Sequence, residues 1–213
     1  MNPAMNKSTK ILAELGAATV YEASGRKGLI DIPLISIVPG SKVAGPARIA
    51  ACGQGDNRAV HEVMAYADTG DILILTMPIP EPVALLGELL ASQAHGRKVV
   101  GVLVDGSVRD IESLRALGLP IWTRYIRVRG ATKDKRGCID VPVIVGGCLV
   151  NPGDIVVLDD DGAVVVARSD VDLVIQASEK RVQKESALLE RFRTGELSYD
   201  IYGLRALDNS ETR

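Results

Sequence analysis

Apolar and polar positions follow two rhythms along this chain, and its most continuous apolar run lies near the centre. Val99-Val100-Gly101-Val102-Leu103-Val104 is β-branched and unbroken by charge, the pattern of a buried strand. The Asp105-Gly106 pair that follows reads as its end. Past that turn, Ile111, Leu114 and Leu117 fall on one face of a short helix over residues 111–118. Arg109 and Asp110 therefore stand where a buried strand hands over to a helix. In α/β sheets that edge gathers loops and helix N-termini, and ligands bind there.

The same reading extends in both directions. Ile11, Leu12, Leu15 and Ala18 recur at helical spacing over residues 8–22, with Ser8 or Thr9 as cap. Gly16 weakens the middle enough to allow two short helices. Residues 29–38 are irregular, and 43–52 form a strand broken early by Pro46. Residues 53–57 are a turn before a helix over 58–67; their glycines match neither a phosphate loop nor a dinucleotide fingerprint. His61 falls in that helix. A strand over 72–77 runs into Pro78, Pro80 and Pro82, which force an extended connection. A helix starting near Gly87 then runs to Gly96, its C-cap.

Later strands are read at 121–126, 141–150, 154–158 and 163–167, with a polar surface loop over 130–138. Asp159-Asp160-Asp161-Gly162 lacks the distal Glu of a calcium loop and reads as a hairpin turn. Strands thus alternate with helices first and pair antiparallel later. That mixture predicts an α/β sandwich rather than a doubly wound sheet. In the last helix, over 170–193, Val171, Ile175, Ser178, Val182, Glu185, Leu189 and Phe192 form one stripe. Such a seam packs on something, and a second subunit is one candidate. Glu185 within it needs a partner or a wet edge.

Composition narrows the field. A chain of 213 residues is most simply one domain with a sizeable core, built from aliphatic side chains because only 3 % are aromatic. A net charge of -2 gives no electrostatic case for nucleic acid or an anionic membrane. No apolar run is long enough to span a bilayer, and residues 1–10 lack a signal peptide's core. Cys52, Cys138 and Cys148 are odd in number and widely spaced, which fits small core residues in a reducing cytoplasm.

Two places carry chemistry. A helix beginning at Gly87 points the backbone N–H groups of Glu88, Leu89 and Leu90 outward, an anion site; alternatively Gly87 only lets helices pack closely. Arg109 can fork onto a carboxylate or enolate while Asp110 holds a divalent cation. The alternative is plain: Ser107 and Asp110 have the spacing of a capping box, and Arg109 is a solvated charge.

Gly87-Glu88-Leu89-Leu90-Ala91 and Asp105-Gly106-Ser107-Val108-Arg109-Asp110 together resemble the 4-hydroxy-4-methyl-2-oxoglutarate / 4-carboxy-4-hydroxy-2-oxoadipate aldolase family. That family shares a superfamily with the regulator of ribonuclease E activity. The resemblance runs from Thr19-Val20-Tyr21-Glu22-Ala23 to Asp200-Ile201-Tyr202-Gly203-Leu204-Arg205, nearly the whole chain. It implies a single domain over 1–213, an α/β/β/α sandwich of the swivelling type. Residues 1–28 would be an N-terminal helical segment and 168–213 a helical arm against a neighbouring subunit of a trimer or hexamer.

The implied activity is metal-dependent cleavage of a 4-hydroxy-2-oxo acid to pyruvate plus pyruvate or oxaloacetate, with oxaloacetate decarboxylation beside it. The resemblance places the substrate's pyruvate part on the amides of Gly87, Glu88, Leu89 and Leu90, with Arg109 on its keto and carboxylate oxygens. Asp110 would ligate Mg²⁺ or Mn²⁺ directly. Glu88, where relatives often carry Asp, and Glu185 of a neighbouring subunit would hold the metal's water, and Glu22 adds a further acid. A Schiff-base route is set aside, because Lys27, Lys98, Lys133 and Lys135 sit in polar or turn contexts. A methyltransferase reading lacks its glycine-rich loop. The contrasting class is a binding protein that inhibits ribonuclease E. Arg26, Lys27 and His61 stay open as contacts to the distal carboxylate.

Overall fold

The computed structural model describes residues 3–211. Two helices open the chain, α1 (Pro3–Leu15) and α2 (Ala17–Ala23), followed by β1 (Ile35–Ser36), β2 (Val43–Ala51) and α3 (Arg58–Val63). Next come β3 (Ile72–Thr76), β4 (Ala84–Leu86), α4 (Glu88–Gly96), β5 (Gly101–Val108), α5 (Ile111–Leu117) and β6 (Ile121–Ile126). Short strands β7 (Cys138–Ile139), β8 (Val143–Val145) and β9 (Cys148–Val150) precede the hairpin of β10 (Ile155–Asp159) and β11 (Gly162–Val166). The long helix α6 (Val171–Arg193) leads to α7 (Ser198–Ile201) and α8 (Leu204–Glu211).

The main sheet has the order β1-β6-β5-β3-β2-β10-β11, with β4 added to β5 and β7 to β2. Its two halves meet in β2. Residues 43–46 pair antiparallel with β10, and residues 47–51 run parallel to β3. Pro46, with no N–H to give, stands at the changeover.

Period-two alternation then builds four layers. On β3, Leu73 and Leu75 face the helices α3 and α4, while Ile72 and Ile74 face inward with Leu103 and Trp122. On β10, Val156 and Leu158 join that inner cluster, while Ile155 and Val157 face α1, α2 and α6. The result is the α/β/β/α sandwich that the resemblance implied, the mixed sheet curling across its own inner core. Among the described residues, no helix is long and apolar enough to cross a membrane.

Several boundaries differ from the sequence reading. Asp105-Gly106 does not end β5. The strand continues to Val108, and a register shift against β6 between Val104 and Ser107 absorbs the pair. Burying Asp105 is possible because its Oδ1 accepts the Arg124 Nε–H at 2.7 Å. The first helix starts at Pro3, so Ser8 and Thr9 lie inside it rather than capping it. Gly16 does split the segment: its φ is +80°, and Asp159 Oδ2 accepts the Ala17 N–H at 2.8 Å to start α2.

The helix expected over 58–67 ends at Val63, where the hydrogen bonds tighten to i−3 turns. The expected strand over 141–150 is instead the hairpin β8–β9, turned by Gly146 and Gly147 at φ +53° and +77°. Of the cysteines only Cys52 is a core residue; Cys138 is exposed and Cys148 half-buried.

The C-terminal seam is filled only at its start. Val171, Val174, Ile175 and Ser178 are buried against the α1–α2 layer, whereas Val182, Leu189 and Phe192 are 39 %, 48 % and 37 % exposed. Tyr202, just past α7, lines a hollow along that outer half with Val182, Glu185, Leu189 and Phe192 and leaves it partly exposed. Beyond it, Arg205 pairs with Asp200 and lies over the Tyr199 ring.

Candidate active site

The parallel strands β4 and β5 end side by side, and their C-terminal ends feed α4 and α5. Gly87 is the hinge between β4 and α4, and Arg109-Asp110 the hinge between β5 and α5. These two hinges form one wall of a cavity of about 240 Å³, which Asn57, His61, Gly130, Ala131 and Lys133 complete.

Asp110 takes the left-handed conformation (φ +62°, ψ +43°), which a short polar side chain tolerates better than most. The capping box does not form. Asp110 makes no side-chain cap on α5, and the Ser107 hydroxyl instead donates to the Val108 carbonyl. The turned backbone sends the Asp110 carboxylate to the neighbouring helix, where Oδ2 accepts the Glu88 N–H at 3.1 Å. A carboxylate at a helix N-terminus is favoured by the exposed N–H groups and the helix dipole.

That contact corrects the expected anion site. Glu88's N–H is engaged by Asp110, so the unclaimed donors of the first turn are those of Leu89 and Leu90. Arg109 Nε stands 3.7 Å from the same Asp110 Oδ2, and both side chains are about half exposed. Two glycines shape the space around them. A Cβ on Gly87 would lie 2.5 Å from Asp110 Oδ2 and 3.2 Å from Arg109 Cγ, and one on Gly130 would lie 2.8 Å from Arg109 Nη1. Neither position tolerates a side chain without moving the charged pair.

The 130–136 loop, read from sequence as plain surface, is pinned beside the cavity by a buried carboxylate. Asp56 Oδ2 accepts from the Thr132 hydroxyl at 2.6 Å, the Asp134 N–H at 2.6 Å and the Lys135 N–H at 3.1 Å. Its Oδ1 accepts the Arg58 N–H at 2.8 Å. Burial alone would raise this carboxyl's pKa, but the four hydrogen bonds outweigh it and hold the value down at about 2. His61, one helical turn on, is pushed below the usual imidazole range by partial burial and the nearby Lys133 charge, against a smaller opposing pull from Asp56.

The expected site residues thus divide. Gly87, Glu88, Leu89, Leu90, Arg109 and Asp110 come together on the cavity wall. Glu22 and Glu185 do not join them within one chain. They meet each other through Arg181, whose Nη2 lies 2.7 Å from Glu185 and whose Nη1 lies 3.8 Å from Glu22. Arg26 pairs with Glu22, and Arg26 and Lys27 line a different, larger cavity of about 710 Å³. His61 is brought to the site, and so is Lys133. Gly130, Lys133 and Asp56 were not legible as site residues, because only the folded loop brings them to Arg109 and α3. The one local signal was the tight glycine turn that ends in Asp56.

Among the described residues, no three His, Cys, Asp or Glu side chains converge as a complete metal cage. A hard divalent cation does not need one: magnesium binds through one or two carboxylates and keeps several waters. Asp110 has an oxygen set suited to that role. All its contacts among the described residues run to Oδ2, leaving Oδ1 unengaged, and Glu88 stands beside it.

Comparison with known proteins places the chain in a family. The family model RraA-like, Aldolase/RraA, matches residues 17–165. A protein of Halalkalibacterium halodurans with the provisional name 4-hydroxy-4-methyl-2-oxoglutarate aldolase is 32 % identical over 165 residues, covering 78 % of this chain and 76 % of its own. Streptomyces coelicolor RraAS2, described as an unusual member of the RNase ES inhibitor RraA family, superposes with a TM-score of 0.74 at 28 % identity, over 89 % of this chain and 96 % of that one. The RNA-processing inhibitor RraA of Thermus thermophilis gives 0.59 at 29 % identity, over 65 % and 82 %.

Proposed function

The chain belongs to the RraA-like Aldolase/RraA family, and from that premise we propose that it is a carbon–carbon lyase. Its substrate class is the 4-hydroxy-2-oxo acids, 4-hydroxy-4-methyl-2-oxoglutarate or 4-carboxy-4-hydroxy-2-oxoadipate, and its products are pyruvate plus pyruvate or oxaloacetate. The observation that carries this reading is the Arg109–Asp110 pair, set 3.7 Å apart beside the unclaimed N–H groups of Leu89 and Leu90. A guanidinium, free amides and a carboxylate together suit a 2-oxo acid that chelates a cation. The similarity to the Halalkalibacterium halodurans protein supports the substrate class.

The chemistry follows from charge. Breaking C3–C4 leaves the bonding pair on C3, delocalised onto the C2 keto oxygen as the enolate of pyruvate. The C4 hydroxyl loses its proton as C4 becomes a keto carbon, and C3 later takes a proton to give pyruvate. Leu89 and Leu90 N–H groups hold the C1 carboxylate, and Arg109 directs its donors at the keto oxygen where charge develops. Asp110 would hold Mg²⁺ or Mn²⁺, which when bound would supply a Lewis acid for the same oxygens. Glu88 orders water at that edge. Glu22 and Glu185 act there only if a neighbouring subunit of a trimer or hexamer delivers them, and the partly exposed outer half of α6 offers the surface for that contact. Oxaloacetate reaches the same enolate by losing CO₂, so decarboxylation accompanies aldol cleavage.

A second reading, inhibition of ribonuclease E by binding, is favoured by the RraA relatives. One experiment separates the two: pyruvate release from 4-hydroxy-4-methyl-2-oxoglutarate and from oxaloacetate, with magnesium and with EDTA. Metal-dependent release from both supports the lyase. No release, with inhibition of ribonuclease E cleavage, supports the regulator.

A further inference from the structure

Lys133 is the one residue of the 132–135 stretch that contributes nothing to fixing it. Thr132, Asp134 and Lys135 all donate to Asp56. Thr132 also exchanges backbone hydrogen bonds with Gly55 and Asn57 at 3.0 Å each, and Lys135 Nζ donates to the Gln54 carbonyl at 2.7 Å. Lys133 is flanked by these anchors yet lines the cavity with Arg109, and it makes no hydrogen bond or ion pair among the described residues. A flexible cation on a fixed stretch of backbone, unpaired and beside an anion site, lacks a counter-charge.

The reading under Proposed function, on which this inference rests, supplies one. A 4-hydroxy-2-oxo diacid carries two carboxylates. The C1 carboxylate is met by the α4 amides, while the one attached to C4 needs a donor of its own, since a carboxylate leaves water reluctantly without one. We propose that Lys133 is the specificity-determining residue that receives the carboxylate on C4. Asp56 is the positioning residue that fixes Lys133 beside Arg109. His61 shares the wall and adds a ring donor next to Lys133. The cavity thereby selects diacids over monoacids by charge, with the α4 amides and Lys133 reading the two carboxylates of one substrate.

The test compares 4-hydroxy-4-methyl-2-oxoglutarate with 4-hydroxy-2-oxopentanoate, which lacks the carboxylate on C4. In the wild type the diacid is expected to be preferred in kcat/KM. Lys133→Ala should raise KM for the diacid roughly ten- to fiftyfold, change kcat less than threefold and leave the monoacid unaffected, the loss of one charge-assisted contact. Lys133→Arg should keep the preference. Asp56→Asn should weaken it, and the double variant should be no worse on the diacid than Lys133→Ala alone, because both act through one contact.

An unchanged preference in Lys133→Ala overturns the assignment of Lys133. A double variant whose losses add overturns the positioning role of Asp56. Lys133 is exposed, so its substitution leaves the fold intact and its arm stands if Asp56→Asn fails to fold. A wild type inactive on both substrates sinks the lyase reading itself, an outcome distinct from an active enzyme that ignores Lys133.

Discussion

Asp110 Oδ2 accepts the Glu88 backbone N–H at 3.1 Å, so a residue that ends one strand caps the helix launched from its neighbour. One carboxylate therefore has a structural task and a chemical one, and two substitutions separate them. Asp110→Asn keeps a carbonyl oxygen for Glu88 and a side chain that tolerates the left-handed backbone. It should unfold within about 0.5 kcal/mol of the wild type yet lose metal-dependent pyruvate release. Asp110→Ala should lose both, with about 1 kcal/mol of stability gone with the cap. Denaturant melts and magnesium calorimetry on the two variants read the difference. Retained magnesium binding in Asp110→Asn would contradict the ligand role.

Gly87→Ala tests the cradle. The new Cβ would sit 2.5 Å from Asp110 Oδ2 and 3.2 Å from Arg109 Cγ, both in mobile side chains rather than backbone. The charged pair yields, not the fold. Turnover should fall roughly a hundredfold for a displacement on the order of 1 Å, with no more stability lost than the roughly 1 kcal/mol of the Asp110 cap. Near-normal turnover would mean that the pair's placement is not critical.

Glu185 and Glu22 share Arg181 in one chain and make no contact with Arg109 or Asp110. If the site forms across a subunit boundary, Glu185→Ala and Arg109→Ala are each inactive alone but complement each other. Mixed oligomers made by co-expression should regain a measurable fraction of wild-type activity, because some boundaries pair an intact Arg109 with an intact Glu185. Absence of any recovery, with mixed assembly shown by mass, would confine Glu185 to its ion pair.

Asp56 makes the fold sensitive to acid. Its folded pKa, near 2, lies below the unfolded carboxylate range near 4. Its contribution is therefore present above about pH 4 and is lost as the pH falls toward 2. Asp56→Asn should be less stable at neutral pH, and its deficit relative to the wild type should shrink between pH 4 and pH 2. Urea melts across that window measure it, and a deficit independent of pH would contradict the assignment.

Much of the fold was legible because one physical signal dominates it. Alternating aliphatic residues in β3, β10 and β11 face two different cores, and the same alternation is visible in the sequence. Gly16, Gly87 and the 159–162 turn were legible for the same local reason, a backbone that needs room or a tight reversal. The misses are long-range. Asp105 resembled a strand end until Arg124, nineteen residues on, neutralised it inside the sheet. Asp110 looked like a cap for its own helix, and only the left-handed backbone turned it to Glu88. Lys133 looked remote because nothing in its neighbourhood announces that Asp56 anchors the loop from 76 to 79 residues away.

Formation of the pyruvate enolate can be followed without any aldol substrate, by exchange of the pyruvate methyl protons for deuterium. The wild type with magnesium should catalyse that exchange, EDTA should stop it, and Arg109→Ala should slow it by two to three powers of ten, or about 3–4 kcal/mol. Exchange that persists in EDTA, or that Arg109→Ala performs at the wild-type rate, would contradict enolate capture by the Arg109–Asp110 pair.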